Sequence, residues 1–479
     1  SAVEFDVLGT VIASGDDSTG ILGRTRSDAI LSGDTSITIG GNVIASGTRS
    51  IGLNIPAQVA PAKIAGYLEV TGAGATGVEA SAVGDAAVED AEFEIGSWLL
   101  VSGKEAIGIN AKLTGASTSA DITVSIGDAL HVTGEKSTGL QLESAAIDRS
   151  GDVVVSVVSD VKATGNSSIA IDLLSTSTSG TAGEVSAVVG GSVMVNAASA
   201  TGLRLRSVGE IVSGQVNAEI DGSVTTQGAG SQGLQLITTS GSGNAGNISL
   251  KVGGDVATSG SEAKGLVAST SGAVSAGSVV LAVAGDMRID GVNSVGVDLA
   301  SVSSAGSAGG VSATMSGKVS SAGDASTGVK LVSDATSNAG AIDLFVGGPL
   351  AVSGVGAQAA MLRSTSRDGT AGNVAVTLGA DVLVLGEGAK GLVASTLGAV
   401  SAGSVVLAAA GDMRNDGVNS GGVDLSSVSS AGSAGAVGAS ITGEVVSVGD
   451  ASTGVKLVSD AASNAGAIDL FVGGPLAVS

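Results

Sequence analysis

Residues 323–354 read GDASTGVKLVSDATSNAGAIDLFVGGPLAVSG, and the spacing of glycine and aliphatic residues in this stretch decides the fold. It opens on a six-residue signature, G-x-x-[S/A]-x-[G/A], that closes at Gly328. Val329-Lys330-Leu331 follows, with Val329 and Leu331 facing one way and Lys330 the other. Further on, Ile342, Leu344 and Val346 alternate with Asp343 and Phe345. Strict period-two alternation sets one face in a core and the other in solvent. Helix is excluded by β-branched density and by glycines that would each cost an internal helical turn about 1 kcal/mol.

Working outward, the last position of the signature recurs at Gly20, Gly52, Gly77, Gly108, Gly139, Ala170, Gly202, Gly233, Gly265, Gly296, Gly328, Ala359, Gly391, Gly422 and Gly454, which makes fifteen units. From Gly139 onward the steps alternate between 31 and 32 residues, and the one short step, of 25, runs from Gly52 to Gly77. A second ladder, Gly183, Gly214, Gly246, Gly277, Gly309, Gly340, Gly372, Gly403, Gly435 and Gly466, keeps the same period. A third runs Asp128, Asp160, Ser192, Ser223, Asp255, Asp286, Lys318, Pro349, Asp381, Asp412, Glu444 and Pro475. Three ladders locked in phase mean one coil of backbone per unit. The fold expected is therefore an all-β parallel β-helix of about 15 coils of 31–32 residues, with three short strands per coil. A single coil cannot bury its inner face, so coils pair strand on strand at about 4.8 Å, giving a rod of roughly 70 Å.

Turn chemistry is expected to follow the ladders. The glycine opening each signature, such as Gly15, Gly134 or Gly323, is read as supplying a positive φ, with Ala197 the single exception. The fourth position is Ser or Ala in all fifteen units and is read as a small residue tucked into a corner. The Asp/Ser-rich third ladder is read as Asx-type turn closure.

Composition agrees. Of 479 residues 78 are glycine, about 16% against a usual ~7%, whereas Phe, Tyr and Trp together number six. Ordinary multi-domain enzymes draw much of their buried area from rings, so the three domains that length suggests give way to one thin aliphatic core. The absence of cysteine excludes disulfides, thiolate metal sites and thiol nucleophiles. A formal charge of −23 without a basic stripe speaks against nucleic acid, and no apolar run reaches membrane-spanning length.

Two regions depart from regularity. Residues 1–100 hold the short step, with Pro56 and Pro61 where strands would run, and four of the six aromatics, Phe5, Tyr67, Phe93 and Trp98. A distorted coil is expected there, with a ligand patch around Tyr67 and Trp98 as the alternative. Residues 101–479 are regular, and 265–353 recur as 391–479 with 14 of 89 positions changed, the mark of a duplicated four-coil block. Core changes such as Met315 to Ile441 and Val283 to Ala409 stay apolar, whereas Lys318 becomes Glu444. The pattern stops at Ser479 without a cap, which suggests either a fragment or a subunit that stacks end to end.

No catalytic, cofactor-binding or metal-binding residue is assigned, and no enzyme is expected. The GDAST at residues 323–327 and 449–453 is the turn signature rather than a nucleophile elbow. The lone histidine, His131, reads as a plain strand residue. Structural calcium is the alternative reading at Asp381, Asp412 and Glu444, and at Asp85, Glu89, Asp90, Glu92 and Glu94, with solvated acidic surface the favoured one.

Segments such as NAGNISLKVGGDVATSG (residues 244–260) and TAGNVAVTLGADVLVLG (residues 370–386) resemble the passenger repeats of bacterial autotransporter and filamentous-haemagglutinin-type adhesins. The resemblance implies a right-handed parallel β-helix, exported across the outer membrane and displayed on the bacterial cell surface. It further implies a rigid stalk whose partners are host or neighbouring-cell surfaces or matrix. The alternative is a structural subunit joining copies of itself end to end into an extracellular filament or lattice.

Overall fold

The computed structural model describes residues 3–23, 35–56, 61–84 and 90–478, and every regular element among them is a β-strand. About fifteen turns of three parallel strands make a β-solenoid, as the ladders require. The chain divides into two compact units, residues 1–222 with 231–241 and residues 223–230 with 242–479. In the first unit the coil Ile122–Ile126, Leu130–Val132, Thr138–Ala146 pairs in parallel with Val153–Val157, Val161–Ala163, Ile169–Ser177. In the second, Ile342–Val346, Leu350–Val352, Gln358–Ser366 pairs likewise with Val374–Leu378, Val382–Val384, Lys390–Gly398. Within each unit the strand residues therefore stack on their equivalents one coil away.

The inward face is aliphatic for a local reason: Ile122, Val124 and Ile126, then Leu130 and Val132, then Leu140 and Leu142 occupy alternate strand positions and are all sealed from solvent. Phe93 alone among the six aromatic side chains lies inside. Three strands about a narrow axis leave little room for a ring.

One strand is longer than the apolar pattern suggests. The segment read as Val329-Lys330-Leu331 extends over nine residues, Thr327–Ala335. Beyond Leu331 its inward positions are Ser333 and Ala335, both buried, so alternation continues with a hydroxyl in place of an aliphatic side chain. Equivalent inward hydroxyls are Ser144, Ser175, Ser207, Thr238, Thr270, Ser301, Ser364, Thr396 and Ser427. The serine's role is visible at Ser301: Oγ donates to the carbonyl of Gly277 and accepts the N–H of Gly309, both at 2.8 Å. The alanine-glycine ladder is thus pinned from inside.

The alternation of 31 and 32 residues arises at this same corner. Six residues separate Thr327–Ala335 from Ile342–Val346, whereas seven separate Gln358–Ser366 from Val374–Leu378; the other two corners of these coils keep constant length. Longer corners carry a serine at the end of the strand and a glycine three residues on. Ser366 Oγ accepts the N–H of Gly369 at 3.0 Å and donates to the carbonyl of Ser337 at 2.6 Å. Ser177 with Gly180 and Ser303 with Gly306 repeat the arrangement. A Cβ on Gly369 would overlap the carbonyl oxygen of Ser337 in the shorter corner beneath.

The opening glycine of the signature does not supply the positive φ. That conformation falls on the third position, φ 51–64°, held by Asp17, Arg49, Glu105, Lys136, Ser167, Ser199, Glu262, Asn293, Ala325, Asn419 and Ala451, and by four glycines including Gly356 and Gly388. The turn closes with the fourth residue's N–H donating to the first residue's carbonyl, as from Ser326 to Gly323 at 3.2 Å, which makes the third residue the left-handed one. The opening glycine is required by stacking instead. A Cβ on Gly134 would overlap the carbonyl oxygen of Gly103 in the preceding coil. At the fourth position the small residue is buried as expected, and Ser137 Oγ donates to the Gly134 carbonyl at 2.6 Å.

A Cβ added to Gly388 would meet nothing within 4 Å, so this position isolates the backbone cost of the left-handed φ. A left-handed non-glycine residue costs about 1–2 kcal/mol, offset by about 0.4–1 kcal/mol of unfolded-chain entropy when glycine replaces it. Ala325→Gly is therefore expected to raise stability by about 0.5–1 kcal/mol, and Gly388→Ala to lower it by a similar amount. Urea denaturation midpoints compare the two directly.

The short step is confined to one place. Ile55 stays opposite Ala80, and Ala62 stays opposite both Ile37 and Phe93, so register is kept on either side of residues 57–60. The third strand ends early, at Pro56, and the next begins late, at Ala62.

The duplicated block contains a core change that is not apolar. Ile289 and Asn415 are equivalent and both fully buried. Asn415 is satisfied: its Nδ2 donates to the carbonyls of Ser420 at 3.3 Å and Thr453 at 3.0 Å, and its Oδ1 accepts from Ser420 Oγ at 2.5 Å. Neighbours one coil either way are Thr258 and Ser321 for Ile289, and Val384 and Ser447 for Asn415, of nearly matching volume. Ser420 keeps the Gly417 carbonyl as partner without Asn415. Asn415→Ile is expected to stabilise by about 1 kcal/mol, read as a rise in thermal midpoint.

Candidate functional site

The position immediately before each three-residue strand forms a ladder along the outside of a corner. In the first unit it reads Thr10, Asn42, Tyr67, Trp98, Ala129, Asp160 and Ser192, fixed by pairing of Val11, Val43, Leu68, Leu99, Leu130, Val161 and Val193. Ala129, not Asp128, is thus the step before Asp160; the sequence ladder is one residue out of register at that end. Tyr67 and Trp98 belong to the same ladder as the aspartates, which the one-residue misplacement at Asp128 conceals in the sequence.

Most polar members of this ladder have a structural task. Asp160 Oδ1 accepts the backbone N–H of Ser192 at 2.9 Å. That bond, more than any charge nearby, holds the Asp160 carboxyl below the usual range. In the second unit Asp255 accepts from the Asp286 N–H, Asp286 from the Lys318 N–H, Asp381 from the Asp412 N–H and Asp412 from the Glu444 N–H, all at 2.8–3.0 Å. The aspartates considered for calcium therefore each cap the next coil's backbone, and Lys318 replaces Glu444 freely because the capped group is the main-chain N–H.

A parallel ladder precedes the five-residue strands. Asp90 accepts from the Asp121 N–H, Asp121 from the Asp152 N–H and Asp152 from the Glu184 N–H, at 2.7–3.0 Å. Burial pushes the Asp121 carboxyl up. Glu94 points outward to Lys63 at 2.7 Å, Glu92 is exposed on the same strand, and Asp85 and Glu89 lie outside the described residues. Among the described residues no three acidic or histidine side chains converge as metal ligands would.

Tyr67 and Trp98 depart from this capping role. Their rings stack with centroids 4.1 Å apart and planes within 6°, an arrangement imposed by parallel register on adjacent steps. The stack ends at Ala129, whose methyl group leaves the next step empty of side chain. A recess of about 320 Å³ opens there, lined by Trp98, Leu99, Leu100, Asp128, Ala129 and His131. His131 is the outward residue of Leu130–Val132, flanked by Leu100 and Lys162 on the neighbouring coils. Burial, and then the Lys162 charge, push the imidazole below its ordinary value, and its Nε2 has no hydrogen-bond partner. Rarity marks Tyr67 and Trp98 in the sequence but not their neighbours; counting the corner ladder back from Asp160 in steps of 31 joins Ala129, and with it Asp128 and His131, to them.

The serines of the GDAST turns are held within their own turns: Ser326 is buried, with Oγ 2.5 Å from the Gly323 carbonyl and 2.6 Å from Ser321 Oγ. No helix among the described residues is long and apolar enough to cross a membrane. No family model, curated protein or solved structure matches the chain.

Proposed function

We propose that the chain is an extracellular structural and adhesive repeat protein, the rigid β-helical stalk of a bacterial surface adhesin of the autotransporter kind, without catalytic activity. The observation that carries the reading is the way consecutive coils are locked. Corner glycines let the backbones of consecutive coils meet, and inward serines and outward aspartates hydrogen-bond the main chain of a neighbouring coil. Stiffness then depends on main-chain geometry, and outward side chains are free to vary. The duplicated block uses that freedom, since Lys318 becomes Glu444 while the corner glycines stay. Length can be added by whole coils without redesigning a core, which suits a spacer that carries a binding surface away from a membrane. A strong negative charge favours solubility outside the cell.

Labelling of intact cells of the producing organism with a membrane-impermeant amine reagent and a specific antibody tests the reading. Labelling without lysis is expected, and a signal that appears only after lysis would reject surface display. Electron microscopy of the purified protein adds a second criterion: separate particles of fixed length fit a stalk, whereas continuous fibres would replace it with end-to-end assembly.

A further inference from the structure

We propose that the empty ladder step at Ala129 binds a single pyranose ring of a neutral glycan, stacked on the face of Trp98 remote from Tyr67. This goes beyond a stalk, which needs no such site, and does not depend on where the protein is displayed.

Three observations converge. First, one face of the indole is covered by Tyr67 at 4.1 Å, and the other faces along the ladder toward a residue with only a methyl group. Coils lie about 4.8 Å apart, so the step left vacant by Ala129 suits a ring laid flat on Trp98, and Tyr67 behind it fixes the indole orientation before any ligand arrives. Secondly, the recess is not purely apolar. Asp128 presents an exposed carboxylate, and His131 forms part of the wall with its Nε2 buried beneath the surface. A hydroxylated ring can stack through its C–H face while its rim hydroxyls donate to Asp128. A flat hydrocarbon ligand would instead leave that carboxylate desolvated and unpaired. Thirdly, the rings have no capping duty to explain them. Other ladder members such as Asp160 and Asp412 accept a main-chain N–H from the next coil, which neither Tyr67 nor Trp98 can do. The charge of −23 further favours a neutral sugar over an anionic one.

Trp98 is the only tryptophan, so its emission reports the site directly. The full chain would be titrated with chitotetraose, maltotetraose and lactose as neutral sugars, with a tetragalacturonate as an anionic one, and with indole as a flat aromatic. A saturable emission change with at least one neutral sugar is expected, with weaker or no response to the uronate. Ala129→Tyr, which continues the stack and fills the step, is expected to reduce that sugar's affinity at least about tenfold. Asp128→Ala, at an exposed position, should reduce it about threefold to tenfold without moving the thermal midpoint. Should Ala129→Tyr lower the thermal midpoint, the Asp128→Ala and His131→Ala titrations decide instead. The proposal is overturned if no neutral sugar shifts the emission up to about 10 mM, roughly 2.7 kcal/mol of binding, if indole alone binds, or if sugar binding survives the variants unchanged.

Discussion

Gly309→Ala is expected to destabilise its unit by about 3 kcal/mol, the upper range for forcing an extra carbon into a packed site. The added Cβ would lie 2.5 Å from both the carbonyl carbon and the oxygen of Gly277, and 2.7 Å from the Ser278 nitrogen. All three are main-chain atoms of the coil beneath, so no side chain can swing aside; the coils themselves must part. Parting them also stretches the bond from Ser301 Oγ to the Gly277 carbonyl. The adjacent residue supplies the control. A Cβ on Gly310 meets only the Ala341 carbonyl oxygen, at 3.3 Å, and the duplicated block carries alanine there, as Ala436. Gly310→Ala should therefore change stability by less than about 0.5 kcal/mol. Urea denaturation of the two single variants measures the contrast, and equal losses would show that helical stacking at this corner is less tight than the backbone contacts indicate.

The same contrast explains what the amino-acid sequence discloses and what it conceals. Corner glycines such as Gly134 and Gly309 are legible because backbone meets backbone there, and only one residue type fits at nearly every turn of the ladder. Period, parallel stacking and three strands per coil follow from them. The positive φ expected of the opening glycine is misplaced by two residues, since it sits on Asp17, Lys136 or Ala325. A position that tolerates so many residue types leaves no compositional trace. The far half of each nine-residue strand is hidden because its inward residue is a hydroxyl, as at Ser333, and a search for alternating aliphatics stops at Leu331. Tyr67 and Trp98 stand out by rarity, and they lie in even steps of 31 below Asp160, but the intervening step is Ala129, which breaks the run of polar residues by which the ladder is read. Asp128 takes, in the sequence ladder, the position that Ala129 fills in the fold, and the recess over Trp98 exists only because of that alanine.

The hidden hydroxyls carry the second large effect. Ser301→Val is expected to cost about 1–2 kcal/mol although valine is apolar and the site is fully buried. Serine there accepts the Gly309 N–H and donates to the Gly277 carbonyl, and the Thr270 hydroxyl approaches it at 3.2 Å. Valine would leave the Gly309 N–H without a partner, at a cost of about 1–3 kcal/mol, against which the gain from burying its methyl groups is about 1 kcal/mol; the Gly277 carbonyl keeps the Thr270 hydroxyl. Threonine matches valine in shape and keeps the hydroxyl, and at the equivalent positions Thr270 and Thr396 the Oγ1 finds a different partner, donating to the carbonyl of its own corner glycine, Gly277 and Gly403. Ser301→Thr should accordingly retain stability to within about 1 kcal/mol, so the pair separates hydrogen bonding from volume. Amide exchange gives a local reading: the Gly309 N–H should lose protection in the valine variant. In a stack of coils each interface contributes its own share of stability, so the loss of protection should be greatest in the coils that contain Gly277 and Gly309 and fade within a few coils on either side. A loss spread evenly along the unit would instead mean that its coils fold as one block, and that the inward hydroxyls set global stability rather than the local stiffness on which the stalk reading rests.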